Sequence, residues 1–142
     1  MPALTNARNT PQRAGDVFDF PIKAAVHGHQ GGIAVLSGGY AAPATVATGL
    51  IAIGRFEQDA NNTGGANGAF LARVRRGIFK YANSTSTDLI AQADVGADCY
   101  LVDDQTVGKT AAIVSSNPTR SRAGKVVAVD ADGVWVQIGL GY

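Results

Sequence analysis

Apolar residues in this chain occur mostly at alternate positions or in short runs, and Gly, Asn, Asp and Pro separate the runs. A period of two, interrupted by turn-forming residues, is typical of β-strands. The pattern predicts strands at residues 21–26, 32–36, 50–56, 70–81, 98–102, 110–114, 124–129 and 134–138. Strands this short and this evenly spaced indicate a mainly β protein, either a small β-barrel or a β-sandwich of short antiparallel strands.

The last two predicted strands form the clearest pair. The sequence Asp-Ala-Asp-Gly at residues 130–133 separates two valine-rich segments. Asp and Gly are favoured in tight turns, because Asp can bond its own backbone and Gly can adopt a positive φ. The sequence therefore predicts a β-hairpin closed by residues 130–133.

Two regions depart from the strand pattern. Residues 1–16 are polar, contain two prolines and carry Arg8 and Arg13, so we expect an extended N-terminal arm ahead of a single β domain at residues 17–142. Residues 87–94 favour at most one short helix, with Thr87 as the N-cap and Gly96 as the stop. Residues 58–67, which are rich in Asn and Gly, predict a flexible loop.

Composition limits the classes of protein that fit. The chain has 142 residues, 12 basic and 11 acidic residues, and a net charge of +1. A dedicated nucleic-acid-binding protein usually has a larger basic excess, so no direct nucleic-acid partner is expected. No apolar run has the length of a membrane span and the N-terminus has no apolar signal core, so we expect a soluble intracellular product without a membrane partner. Much of the apolar content is Ala and Val, whose small side chains favour additional burial by assembly.

The residues that could carry chemistry are few. His27 and His29 share one face of a strand, but their own segment holds no Asp, Glu or Cys, so they are interpreted as polar residues of a Gly-rich turn and no metal is proposed. Cys99 has no cationic neighbour in sequence and is expected to be buried. Asp103 and Asp104 would point to opposite faces of a strand. No nucleophile elbow or phosphate-binding loop is present, so neither an enzyme nor a cofactor is expected.

The densest charge lies on the predicted strand at residues 70–81. Arg73 and Arg75 should share one face, with Val74 and Arg76 on the other. One interpretation is a solvated sheet edge, where charge prevents unwanted strand pairing. The other is an electrostatic contact with an acidic protein surface or a nucleic-acid backbone. The aspartates that follow weaken the field that nucleic acid would need.

The order of segments along the chain resembles that of a known family. The segments that carry the likeness are residues 13–15, 20–25, 31–36, 39–43, 49–55, 59–67, 74–79, 99–105 and 129–135. Together they resemble the capsid cement, or head decoration, proteins of tailed bacteriophages and related prophages. The likeness extends from about residue 13 to the end of the chain.

The resemblance implies a structural virion protein that is made in the host bacterial cytoplasm and binds the outer surface of the expanded phage head. It would bridge subunits of the major capsid protein and stabilise the shell. Proteins of this family are mostly β and often trimeric, so a homotrimer is preferred over a dimer. The family has no catalytic residues to transfer to this chain.

The regions expected to contact the capsid are the arm, the loop at residues 58–67 and the cationic strand. Their charged members are Arg8, Arg13, Arg73, Arg75 and Arg76. Two other functions remain open at this point. One is another β-type virion component, such as a head-fibre base or a tail-tube subunit. The other is a nucleic-acid-binding module that uses residues 73–81.

Overall fold

The computed structural model describes residues 2–142, and within them the protein is mainly β, as the sequence predicts. Among residues 2–142, helical structure is limited to two 3₁₀ turns, Ser86–Asp88 and Gln92–Asp94. The strands are β1 (Val17–Pro21), β2 (His27–Gly28), β3 (Ile33–Ser37), β4 (Tyr40–Pro43), β5 (Ile51–Phe56), β6 (Ala60–Asn61), β7 (Leu71–Arg75), β8 (Gly77–Asn83), β9 (Asp98–Leu101), β10 (Thr106–Gly108), β11 (Arg122–Asp130) and β12 (Gly133–Ile138).

The first half of the chain forms a five-stranded antiparallel sheet in the order β1-β7-β5-β3-β4. The chain leaving β1 curls back toward the opposite edge. Ile22 bridges to Ala41 of β4, and the Lys23 N–H donates to the Ala41 carbonyl at 2.9 Å. The end of β1 therefore lies beside β4, and the sheet is strongly curved.

The second half forms a closed five-stranded barrel in the order β10-β8-β12-β11-β9. Four of its pairings are antiparallel, but β10 pairs with β8 in parallel, which the prediction of purely antiparallel strands did not include. Closure leaves no free strand edge within the barrel, which protects it from edge-to-edge association.

Two buried clusters hold these sheets together. The larger one fills the barrel with side chains such as Leu101 and Val136, and it also includes Ile33 and Val35 from the five-stranded sheet. The smaller cluster surrounds Phe56 inside the curved sheet. Because one cluster contains residues from both halves, hydrophobic burial stabilises the contact between sheet and barrel.

Several strand predictions are confirmed and others are wrong. The segments at residues 32–36, 50–56, 98–102, 124–129 and 134–138 each overlap an observed strand, and the hairpin turn at residues 130–133 is confirmed. Of residues 21–26, Pro21 ends β1 and residues 22–26 connect β1 to β2. Residues 110–114 form a loop in which only Val114 makes a bridge, to Asn117. Tyr40–Pro43 and Thr106–Gly108 are strands that the pattern did not predict.

The helix predicted at residues 87–94 is replaced by the two 3₁₀ turns. Ile90 lies between them and is buried. The Asn83 side chain donates to the Ile90 carbonyl at 2.8 Å and accepts from the Ile90 N–H at 2.9 Å. These two bonds occupy the backbone groups that a continuous helix would need, so the helix is interrupted at Ile90.

The single strand predicted at residues 70–81 is two strands in different sheets. β7 ends at Arg75 in the curved sheet, and β8 begins at Gly77 in the barrel. At this crossing the backbone is packed without space for a further side-chain atom. A Cβ on Gly54 would overlap the Arg75 carbonyl oxygen, and a Cβ on Gly139 would overlap the Arg76 Cβ. The crossing therefore depends on glycine at two positions, Gly54 in β5 and Gly139 just after β12.

Gly54→Ala tests this close packing. Gly54 has a φ of +142°, so alanine there would be strained and would also overlap the Arg75 carbonyl. We expect urea unfolding to show a loss of about 3 kcal/mol, from backbone strain and overpacking together. The control is Gly49→Ala, where φ is +75° but an added Cβ would have no atom within 4 Å beyond its chain neighbours. The control variant should lower the free energy of unfolding by only about 1 kcal/mol. Equal losses in the two variants would contradict the packing argument.

Candidate interaction surface

Strand β7 presents Arg73 and Arg75 on one face, as predicted, while Ala72 and Val74 are buried on the other. The strand lies between β1 and β5, however, and pairs with both. It is therefore an interior strand of its sheet, and the solvated-edge interpretation of these arginines is wrong. Their charge must be accommodated on a sheet face, beside the strands that flank them.

Arg73 is neutralised by the neighbouring strand. The register places Asp19 of β1 directly opposite Arg73, and Arg73 Nε donates to Asp19 Oδ1 at 3.1 Å. Opposite charges facing each other across an antiparallel pair stabilise it. The hydrogen bond from Arg73 lowers the pKa of Asp19, so the carboxylate stays ionised over a wider pH range.

Arg75 shares a single carboxylate with Arg55. The two arginines are directly opposite each other in the β5–β7 pairing, where like charges would repel. Glu57 accepts from Arg55 Nη2 at 2.8 Å and from Arg75 Nε at 2.9 Å. Hydrogen bonding from Arg55 is the largest cause of a lowered pKa at Glu57, and the Arg75 bond adds to it. Glu57 thus compensates a repulsion that the strand register imposes.

Arg76 does not join the other two arginines. It lies at the crossing between β7 and β8, where Arg76 Nη1 donates to the Leu140 carbonyl at 2.7 Å. The guanidinium also stacks over the Tyr142 ring at 5.0 Å, and Asp16 lies 3.9 Å from Arg76 Nε. The structure therefore separates Arg76 from Arg73 and Arg75, and gives it contacts that fasten the C-terminal residues to the crossing.

The N-terminal residues carry the two remaining predicted contact residues. The predicted arm begins with Met1, which lies outside the described residues. Residues 2–16 contain no strand, and every one of them is exposed. Arg8 and Arg13 form no ion pair within residues 2–142. Arg13 lines a shallow groove of about 410 Å³ together with Phe18, Asp19 and Leu71.

The arm and the outer face of β1 and β7 therefore adjoin each other. Leu71, which is 63% exposed, lies on the same face as Arg73. We use the term β1–β7 face for this surface, defined by Val17, Asp19, Leu71, Arg73 and Arg75. It combines paired charges with an exposed apolar side chain, and Arg13 of the arm lies next to it.

The loop predicted at residues 58–67 is anchored. Asn62 is buried, and its side-chain amide donates to the Lys23 carbonyl at 2.8 Å and to the Ala66 carbonyl at 3.0 Å. Ala60–Asn61 forms strand β6, which pairs with β2. The abundance of Asn and Gly suggested flexibility, but a buried Asn satisfied by backbone carbonyls stabilises a defined loop conformation.

Some candidate residues behave as expected from sequence. Cys99 is fully buried, and burial raises the pKa of its thiol to about 12, so the thiolate is not accessible. Contrary to the strand expected there, Asp103 lies in a turn after β9 and accepts a hydrogen bond from the Gln105 N–H. Asp130 also makes contacts outside its turn. It accepts a hydrogen bond from Trp135 Nε1 at 2.8 Å and forms an ion pair with Lys80 at 3.2 Å.

The histidines have an acidic neighbour that the local sequence does not show. Asp59, thirty positions away along the chain, lies beside both of them, and its Oδ2 is 2.9 Å from His27 Nε2. The absence of a local acidic residue was therefore the wrong criterion. The alternation of His27 and His29 was a usable signal, but Asp59 lies just before β6, a strand of only two residues that has no sequence signature.

The comparisons with known proteins give no relative: no protein family, characterised protein or solved structure matches this chain. Neither 3₁₀ turn has the length or apolar character to cross a membrane. Any function must therefore be argued from the chain's own residues.

Glu57→Gln tests the electrostatic role of Glu57. The folded-state pKa of Glu57 lies below its ordinary value of 4.5. Its stabilising contribution is thus present above that value and is lost as the pH falls through the folded-state pKa. We expect the variant to be less stable than the original protein at pH 7 and to lose less stability between about pH 5 and pH 2.

The measurement is urea unfolding across that pH range. Asp104→Asn is the control, since Asp104 forms no ion pair within residues 2–142, and it should keep the original pH dependence. If Glu57→Gln lost as much stability on acidification as the original protein, the bridging role of Glu57 would be refuted.

Proposed function

We propose that this chain is a capsid decoration protein of a tailed bacteriophage, which binds the outer surface of the head and bridges major capsid protein subunits. The proposal rests first on the ordered resemblance of its segments to that family. The observation that supports it best is the exposed arm, residues 2–16, next to the β1–β7 face. Such an arm can become ordered against a neighbouring subunit when the protein binds.

The β1–β7 face suits a protein partner better than a nucleic acid. Its arginines already have carboxylate partners: Asp19 for Arg73, and Glu57 for Arg75. A phosphate backbone would have to compete with these carboxylates for every guanidinium, whereas a protein surface can pack on Leu71 and leave the pairs intact. The face therefore supports docking on a protein without requiring an anionic polymer.

Repetition on a capsid lattice would compensate for a weak individual contact. A decoration protein that bridges subunits engages more than one site, and linked contacts raise the apparent affinity well above that of each contact alone. The chain also exposes large apolar side chains on the barrel, among them Ile78, Val127 and Trp135. These would suit contacts between copies in the homotrimer that the family resemblance implies.

The arm is tested by deleting residues 2–15, which keeps Asp16 and its contacts with Arg76, and measuring binding to expanded heads that lack the protein. We expect the apparent affinity to fall at least about tenfold, which corresponds to about 1.4 kcal/mol. The β domain should keep its circular dichroism spectrum, since the deleted residues are exposed and contribute no strand. Unchanged occupancy of the heads would remove the arm from the mechanism.

Charge variants distinguish a specific role of Arg8 and Arg13 in binding from an effect of net charge. Arg8→Gln combined with Arg13→Gln should weaken binding to heads. The matched control is Lys109→Gln combined with Lys125→Gln, which removes the same charge from the barrel surface, where both lysines are exposed. Equal weakening by the two double variants would show that only net charge matters.

The same purified protein distinguishes the alternative functions. A tail-tube subunit should form rings in the absence of capsid, which size-exclusion chromatography would detect. A nucleic-acid-binding module should bind DNA at low salt, and its affinity should fall steeply as salt is added. Either result, without binding to heads, would replace the proposed function.

A further inference from the structure

The short ladder formed by β2 and β6 places two histidines and an aspartate on one surface. His27 is opposite Asn61, and Gly28 is opposite Ala60. Continuing this antiparallel register by one residue brings His29 opposite Asp59. Because side chains alternate along a strand, His27, His29 and Asp59 project from the same face.

The ladder rests on a rigid support. Gly28 is buried against the Phe56 ring, where a Cβ would lie 2.5 Å from the nearest ring atom. Phe56 belongs to the buried cluster of the curved sheet. The Gly31 N–H donates to the Phe56 carbonyl at 2.9 Å, which secures the residues just after His29. The two histidines therefore flank a segment whose backbone is fixed by the core.

The distances suit a shared metal ion. His27 Nε2 lies 2.9 Å from Asp59 Oδ2, and His29 Nδ1 lies 4.0 Å from Asp59 Oδ1. One potential ligand atom from each residue lies within 4.8 Å of the others. Two ligands of a tetrahedral zinc ion are about 3.4 Å apart, given bonds of about 2.1 Å. The two observed separations lie on both sides of that value.

The carboxylate is already oriented by its surroundings. The Gln30 N–H donates to Asp59 Oδ1 at 3.1 Å, which restricts rotation of the carboxylate. Supporting hydrogen bonds of this kind are usual around metal ligands. A hydrogen bond between His27 and Asp59 would not by itself explain why His29 lies beside them. Its ring packs against His27 at 4.1 Å between centroids, yet it makes no hydrogen bond within residues 2–142.

We propose that His27, His29 and Asp59 form a binding site for a divalent transition metal, with Zn²⁺ the ion best suited to two imidazoles and one carboxylate. His29 also lines a cavity of about 470 Å³ together with Asp104 and Gln105, and a tetrahedral ion held by three side chains keeps one further coordination position. Water or a side chain of another molecule fits that position. The bound ion links β2 to β6 and stabilises the loop at residues 58–67. The site does not depend on the capsid proposal.

The test uses the full chain without a histidine tag. Calorimetric titration with ZnCl₂ at pH 7.5, in a buffer that does not bind metal, should give one ion per chain. Co²⁺ should replace Zn²⁺ and produce visible absorption bands, which report direct coordination. Zn²⁺ should also raise the melting temperature, because it binds the folded state selectively. Mg²⁺, which prefers oxygen ligands, should do neither.

Two variants each remove one ligand. His29→Ala and Asp59→Asn should each reduce the affinity for Zn²⁺ at least about tenfold and abolish the Co²⁺ bands. Both side chains are more than 60% exposed, so neither change should prevent folding, and the metal-free circular dichroism spectrum checks this. If one variant fails to fold, the other still decides the question.

The matched control is Asp132→Asn, which removes a carboxylate whose side chain is 79% exposed on the distant hairpin. It should bind Zn²⁺ as the original protein does. The absence of saturable Zn²⁺ binding by the original protein would overturn the proposal. So would unchanged affinity in both ligand variants.

Discussion

The crossing between β7 and β8 is the constraint on which the rest of the structure depends. One extended segment supplies an interior strand to the curved sheet and then, after Arg76, a strand to the closed barrel. Gly139, just after β12 of the barrel, has no room for a Cβ against Arg76, and Gly54 has none against Arg75 of the adjacent strand in its own sheet. This proximity allows Ile33 and Val35 of the sheet to join the buried cluster of the barrel. A larger side chain at the crossing would separate the two layers and expose apolar surface that they now share.

The crossing also explains why three arginines close in sequence have different environments. Arg73 and Arg75 belong to a regular strand, so the register determines their partners: Asp19 on one side and Arg55 with Glu57 on the other. Arg76 follows the end of that strand and turns to the C-terminal residues, where Leu140 and Tyr142 contact it. A cationic sequence therefore produces a surface that is almost neutral, together with one structural arginine.

The parts of the fold that could be predicted are those determined by neighbours in sequence. The β11–β12 hairpin follows from its turn residues, and the alternation of Arg73 with Val74 follows from strand geometry. Gly77 interrupts the strand pattern at residues 70–81, but the division of this segment between two sheets could not be predicted, because it depends on packing against Gly54 and Gly139. The histidine site was missed for the same physical reason. Its acidic member, Asp59, lies just before β6, and only the three-dimensional pairing of β2 with β6 brings it near the histidines.

If the chain decorates a capsid, the binding energy must come mainly from groups that are not already satisfied. Breaking the Arg73–Asp19 or Arg75–Glu57 pair to form a new ion pair exchanges one exposed salt bridge for another, with little net gain. Ordering of residues 2–16 adds new contacts, and Leu71 offers apolar area that is now in water. The paired charges then contribute chiefly to orientation, since a misaligned partner would place like charges together. On a capsid, the arm and Leu71 would thus supply the affinity. The fixed pattern of paired charges would determine the orientation in which the protein docks.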